Sequence, residues 1–194
     1  EGARAALWYS HGLRMSDTRV EAPKMFREME DLELTNVELP DAEETLWHCR
    51  RVSLKNVRVE RADYLFMHSE HIRIADYRQQ GNYSFQYCRD VEICNAEIHS
   101  KDAFWNSEDV TVYDSTLDGE YLGWHSKRLR LVNCRISGTQ PLCYAHDLVL
   151  ENCTMADDAD LAFECSCVRA TIQGPVRSVK NPMTGSITAG SYGE

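Results

Sequence analysis

The sequence lacks the features of a membrane protein and of a nucleic-acid-binding protein. Its apolar runs are far shorter than the roughly 18 residues that a membrane-spanning helix requires, so no membrane association is predicted. It also lacks a basic cluster, and its net charge of −10 repels nucleic acid and anionic lipid. The N-terminus lacks the basic and apolar segments of a signal peptide. Because the chain begins with Glu1 instead of Met, we expect a fragment or a processed product.

Paired thiolates are also missing, although the chain has 8 cysteines. Common zinc and iron–sulfur sites use Cys-x-x-Cys pairs, and the nearest grouping here is Cys165-Ser166-Cys167. We therefore predict no metal and no cofactor. The cysteines also lack the spacing of a disulfide framework, which favours reduced thiols and a cytoplasmic location.

The sequence does contain a repeat of 19 or 20 residues. Apolar residues recur three, five and ten positions after a reference position that we call the anchor, and Asn or Asp recurs seven positions after it. Nine copies in register exclude coincidence, and a fixed period of this length indicates a solenoid. The anchors are Ser10, Met29, Cys49, Ser69, Cys88, Ser107, Ser126, Ala145 and Cys165.

Each copy predicts strands and no helix. The apolar–x–apolar segment after the anchor has the period of two that is typical of a β-strand. The Asn or Asp that follows, such as Asn133, tolerates the left-handed conformation of a tight turn. A second strand is predicted after this turn, and the aromatic-rich stretch before the anchor is predicted as a third strand. Three short strands and three turns make one coil of a parallel β-helix, in which the Asn and Asp residues stack into an asparagine ladder.

The alternative solenoid is the leucine-rich repeat. Its signature places an Asn three residues after the second Leu, whereas Asn133 follows Leu131 by two. The copies also lack a helical half. We therefore predict one all-β domain over residues 1–194, with about nine coils in residues 4–178 and a C-terminal cap in residues 179–194 that contains one last strand at 186–188.

Several segments are distinctive enough to indicate a family. They read Ala-Leu-Trp-Tyr-Ser at 6–10, Tyr-Ser-Phe-Gln-Tyr at 83–87, Lys-Asp-Ala-Phe-Trp at 101–105, Gly-Glu-Tyr-Leu-Gly-Trp at 119–124, Gly-Thr-Gln-Pro-Leu-Cys-Tyr at 138–144 and Val-Lys-Asn-Pro at 179–182. In these segments the chain resembles, over essentially its whole length, a bacterial family known only as a domain of unknown function, number 3737. The resemblance implies a right-handed, pectin-lyase-like β-helix and further N-terminal coils that this chain lacks. It implies no catalytic residues.

Two columns before the anchor suggest a ligand-binding face. Planar rings combined with hydrogen-bonding Tyr, His and Asn suit a carbohydrate or another polar small molecule, and pectin-lyase-like folds offer a fold-level analogy. The alternative is aromatic packing around a sharp corner, with the phenol and imidazole groups bonded to backbone. The predicted face comprises Trp47, His48, His68, Tyr87, Trp105, Asn106, Trp124, His125 and Tyr144.

Three further hypotheses concern chemistry and assembly. Asp102 and Glu120 lie on neighbouring coils and are the candidate pair of a carbohydrate-active enzyme, either a polysaccharide lyase or a glycoside hydrolase. His48 and His68 also stack, but Cys49 points to the opposite face and is a poor third metal ligand. The open ends of a solenoid offer a route to homo-oligomers.

A non-catalytic binding or scaffold protein is the preferred function.

Cys134 and Cys153 share a column. Their expected separation permits a disulfide, but stacked free thiols in the core are the preferred interpretation.

Overall fold

A computed structural model describes residues 5–193 and confirms the parallel β-helix, with about nine coils and no helix among those residues. Neighbouring coils pair in parallel, so the predicted columns form. Within the same residues, no helix is long and apolar enough to cross a membrane. The strands are β1 (Arg14–Arg19), β2 (Glu30–Leu39), β3 (Arg50–Val59), β4 (Glu70–Gln80), β5 (Arg89–His99), β6 (Glu108–Tyr113), β7 (Thr116–Asp118), β8 (Lys127–Val132), β9 (Arg135–Ser137), β10 (Leu148–Met155), β11 (Cys167–Ile172), β12 (Pro175–Val176), β13 (Thr184–Thr188) and β14 (Ser191–Tyr192).

The core is built from columns of like residues. Leu34 pairs with Leu54, and Leu54 pairs with Ile74, with all three side chains buried. Before the anchor, Phe66 stacks on Phe85 with ring centroids 4.9 Å apart. The positions that the period predicts to be apolar therefore point inward, and they form one continuous core along the solenoid.

The asparagine ladder forms, but it is interrupted twice. Asn36 donates to Asp17 at 2.8 Å, and Asn56 donates to Asn36 at 2.8 Å. Above them, Asp76 has no N–H group to donate to Asn56, so the chain of side-chain bonds stops there. It restarts where Asn95 donates to Asp76 at 2.6 Å, and the same kind of interruption recurs at Asp114.

The prediction of a third strand before the anchor is wrong. In this stretch every second residue is left-handed, for example Tyr64 (φ 58°), Phe66 (φ 60°) and His68 (φ 56°). This alternation reverses the direction of successive amides, so Phe66 N–H bonds the preceding coil and His68 N–H bonds the following one. The stretch is a curved arc, because alternating left-handed residues cannot form a flat strand. We call it the arc.

The predicted register of the ninth coil is correct in its strand, where Val168 and Ala170 pair with Leu148 and Leu150, but it is wrong by one residue in the arc. Ser166, and not Cys165, is the buried anchor, since its hydroxyl accepts Ala145 N–H at 2.9 Å and donates to Leu142 O at 2.8 Å. Phe163 accordingly occupies the buried column, and Cys165 adopts the left-handed conformation of an outward residue (φ 52°). The period misplaced these residues because the copy before them contains one extra residue.

The C-terminal tail continues the stack. Strand β13 pairs in parallel with β11, and β14 pairs with β12. The predicted last strand at 186–188 therefore lies inside β13. Residue 4, the predicted start of the coils, and residues 1–3 and 194 of the predicted domain lie outside the described residues.

The interrupted ladder predicts that Asp76→Asn stabilises the protein. The new amide donates to Asn56 and still accepts from Asn95, so we expect the free energy of unfolding to rise by about 0.5–1.5 kcal/mol. Urea denaturation followed by circular dichroism measures this change. Asn133→Asp is the matched control, because it removes the N–H donated to Asp114 and should lower stability. An unchanged or lower urea midpoint for Asp76→Asn contradicts the explanation.

Candidate functional site

Two columns of the arc hold the predicted ligand-binding residues. We call the column immediately before the anchor the outer column, and the column two before the anchor the indole column. In the register that the structure shows, the outer column is Tyr9, Glu28, His48, His68, Tyr87, Asn106, His125, Tyr144 and Cys165, and the indole column is Trp8, Arg27, Trp47, Met67, Gln86, Trp105, Trp124, Cys143 and Glu164.

The outer column faces outward and its rings stack; most of its residues are exposed, and Asn106, Tyr144 and Cys165 are half-buried. The His48 and His68 rings are 5.1 Å apart with an interplanar angle of 3°, and Tyr87 lies 4.7 Å from His68. A second stack joins His125 and Tyr144 at 5.1 Å. All nine residues are left-handed, with φ of 52–58°, which turns these side chains outward while the adjacent anchors face the core.

The indole column is half-buried and bonded to backbone. Trp8 Nε1 donates to Lys24 O at 2.7 Å, and Trp124 Nε1 donates to Gln140 O at 2.8 Å. Trp47 makes the same kind of bond to Tyr64 O. Each acceptor belongs to the next coil and lies five positions before its anchor.

Other residue types in this column do the same. Arg27 Nε donates to Glu44 O at 2.9 Å, and Gln86 Nε2 donates to Asp102 O at 3.3 Å. The indole column therefore connects several neighbouring coils, and packing around the corner accounts for the tryptophans that form these bonds.

Trp105 is the exception in the indole column. Its indole N–H has no hydrogen-bond partner among residues 5–193, and its ring is tilted by 49° against Trp124. The next residue, Asn106, is half-buried, and its side-chain amide also lacks a partner within that part of the chain. Asn106 separates the two ring stacks of the outer column. The ring stacking of the outer column and the indole bonds to backbone are thus both interrupted at one coil.

The stacked histidines do not form a metal site. Two nitrogens that share a zinc ion at 2.0–2.1 Å lie at most about 4.2 Å apart. The His48 and His68 rings are parallel with centroids 5.1 Å apart, so their in-plane lone pairs do not converge. Across the described residues, no group of three or more His, Cys, Asp or Glu side chains is placed to hold a metal ion.

The predicted acid pair lies beside a groove of about 1000 Å³ on another side of the coil. Glu120 lines this groove and its carboxylate is 3.4 Å from Lys101 Nζ. Asp102 is only 4% exposed, and its Oδ1 has no hydrogen-bond partner. Burial raises the pKa of Asp102, Lys101 lowers it and Glu120 raises it. Asp102 stacks in the column of Tyr121 and not in that of Glu120.

A hydrogen-bonded group in the same groove was missed from the sequence. His99 Nδ1 lies 2.9 Å from Asp118 Oδ2, and His99 Nε2 lies 3.0 Å from Glu97. Ser137 donates to Asp118 at 2.6 Å. His99, Asp118 and Ser137 are each eleven positions after an anchor, so the repeat contained the signal.

All eight cysteines, including Cys134 and Cys153, are free thiols.

A family model described as "Protein of unknown function (DUF3737)" matches residues 1–194. No curated protein and no solved structure matches the chain.

The difference between the tryptophans predicts unequal effects of the same substitution. Trp124→Phe removes the bond to Gln140 O and should cost about 1 kcal/mol more than Trp105→Phe, which removes no bond. Both tryptophans are half-buried and lose the same atoms, but Trp124 also contacts the Tyr121 and Tyr144 rings, so the difference reports the hydrogen bond together with these ring contacts. Urea denaturation of the two proteins measures it. Equal losses would show that Trp105 is bonded as Trp124 is.

Two histidines predict opposite pH effects. Burial, and then the charge of His48, lowers the pKa of His68 below 6.5, so the unfolded chain binds its proton first and stability falls as pH drops through 6.5. Bonds to Glu97 and then Asp118 raise the pKa of His99, so its contribution is present below pH 6.5 and is lost as pH rises through the folded pKa.

His68→Asn should therefore reduce the loss of stability on acidification, and His99→Asn should increase it. Urea midpoints from pH 5 to 8 measure both changes. The same sign of change in the two variants would refute the assignment.

Proposed function

The chain belongs to this family of unknown function, and we propose that it is a non-catalytic carbohydrate-binding protein that uses its outer column. The observation that carries the proposal is the combination of exposure and unused polar groups. None of the side chains of His48, His68, Tyr87, His125 and Tyr144 forms a hydrogen bond with another residue in 5–193.

The core does not require these rings. The buried Phe66–Phe85 and Phe85–Phe104 stacks, at 4.9 and 5.3 Å, already fill the inside of the arc. Corner packing accounts for the indole column through its bonds to backbone, but it gives no role to imidazole and phenol groups that face water. Exposed rings with free polar edges are typical of surfaces that recognise polar ligands.

The spacing of the outer-column rings suits a polymeric ligand. The rings recur every 4.7–5.1 Å within each of the two stacks, so neighbouring coils of a stack offer the same contact again. A chain of repeating sugar units that lies along the axis can use several of these contacts at once. We therefore favour an oligosaccharide or polysaccharide over a single small molecule.

A second candidate function is a carbohydrate-active enzyme in the acidic groove. One observation favours it: His99, Asp118 and Glu120 line one groove, where the Ser137 hydroxyl and then His99 lower the pKa of Asp118. An imidazole and carboxylates that face the same groove are suited to act as general acid and general base. Glu120, at the wall of this groove, is the residue to substitute first.

The binding proposal predicts that Tyr87→Asn weakens carbohydrate binding about tenfold, since it removes a ring and its hydroxyl from the middle of the column. Tyr64→Asn is the matched control, because Tyr64 is also an exposed left-handed tyrosine but lies in another column. A glycan array identifies the ligand and calorimetry measures affinity.

Equal losses for the two variants would contradict the outer column as the binding surface. If the wild-type protein shortens a bound glycan, and Glu120→Gln abolishes this, the enzyme is the correct function.

A further inference from the structure

We propose that the interruption of the outer column at Asn106 is the principal sugar subsite, and that it takes a neutral sugar. This inference rests on the proposed carbohydrate-binding function and goes beyond it by naming the subsite and the ligand class.

The interruption opens one ring face, that of Tyr87, whereas on the other side the Trp105 ring lies 5.9 Å from His125. Tyr87 and His125 lie one coil before and one coil after Asn106, so their layers are separated by about 9.6 Å. Tyr87 stacks on His68 on one side and has no aromatic neighbour on the Asn106 side within the described part of the chain. Because an Asn side chain is shorter than a phenol or an imidazole, the Tyr87 face toward Asn106 is uncovered. A sugar ring can pack its C–H groups on such a face.

Free hydrogen-bonding groups lie at the same layer. The Trp105 indole N–H is a donor, and the Asn106 amide offers two further donors and one acceptor. Both side chains are half-buried and have no partner in residues 5–193, whereas Trp8, Trp47 and Trp124 all donate to backbone. Half-buried polar groups that have no protein partner gain most from a ligand hydroxyl, which both donates and accepts.

Backbone conformation does not explain why residue 106 is Asn and not an aromatic residue. Asn favours the left-handed region, and Asn106 has φ of 52°. His125 and Tyr87 adopt the same conformation at the equivalent position, with φ of 57° and 58°. The fold therefore accepts a ring at this position, and the short polar residue is not required by the turn.

Charge selects against acidic sugars. The chain carries a net charge of −10, and the outer column contains no Lys or Arg. The single arginine of the indole column, Arg27, is paired with Glu44 at 2.6 Å. With no free cation to bind a carboxylate or sulfate, the subsite favours an uncharged sugar ring.

Asn106→Tyr tests the subsite by filling it. The new ring should complete the stack from His48 to Tyr144, so the protein stays folded while the open layer disappears. Trp105→Phe removes the free N–H and keeps an aromatic ring. Tyr64→Asn is the control, because it removes an exposed ring from another column. The probes are cello-, manno-, xylo- and laminari-oligosaccharides of four to six units, with oligogalacturonate as the charged comparison, measured by calorimetry and by a urea midpoint for each variant.

We expect the wild-type protein to bind at least one neutral series more tightly than oligogalacturonate, and Asn106→Tyr and Trp105→Phe each to weaken this binding about tenfold or more. Tyr64→Asn should change it less than threefold. If the wild-type protein binds a neutral sugar and both subsite variants bind it equally well, the subsite is wrong and the proposed function stands. If the wild-type protein binds oligogalacturonate more tightly than every neutral oligosaccharide, the ligand of the subsite is not a neutral sugar. If no carbohydrate binds, both the proposed function and the subsite are wrong.

Discussion

The structure depends on one constraint: each coil forms its backbone hydrogen bonds with the coil below and the coil above, so equivalent residues are placed about 4.8 Å apart. A side chain must therefore be compatible with a neighbour of its own kind. Phenylalanines meet this condition by stacking, amides by hydrogen-bonding to each other, and charged residues by pairing with the opposite sign, as Arg14 does with Glu33 at 3.1 Å. The outer column meets this condition by stacking its aromatic rings, although no core contact requires these rings.

The arc determines where function can lie. Alternating left-handed residues let the chain turn a corner while the Phe column faces the core and the outer column faces water. Each left-handed residue costs conformational free energy, on the order of 1–2 kcal/mol for a residue other than Gly. Backbone bonds between coils and the side-chain bonds of the indole column offset this cost. The arc is thus rigid, and it presents its outward side chains in a fixed register.

The sequence predicted the columns well because a fixed period determines which residues stack. The prediction failed in two places. The ninth coil contains one extra residue before Ser166, so the fixed period placed its anchor wrongly. The arc alternates between left-handed and extended residues, and the composition of the sequence does not indicate this alternation. The role of the tryptophans was also out of reach. Whether an indole N–H meets a carbonyl depends on the direction of that carbonyl, which the left-handed residues set. The His99–Asp118 pair could be predicted from the repeat, because both residues are eleven positions after an anchor on neighbouring coils.

The central claim is that Trp105 has a free indole N–H at an open layer of the outer column. The protein has 4 tryptophans, so its ¹⁵N–¹H NMR spectrum contains one indole signal for each. Hydrogen exchange of these four signals in D₂O, with and without a neutral oligosaccharide, tests the claim most directly. We predict that Trp105 exchanges fastest and is the indole signal that shifts most when the sugar is added, while Trp8, Trp47 and Trp124 are protected. A Trp105 signal that is as protected as the others, and unmoved by a sugar that binds, would contradict the account.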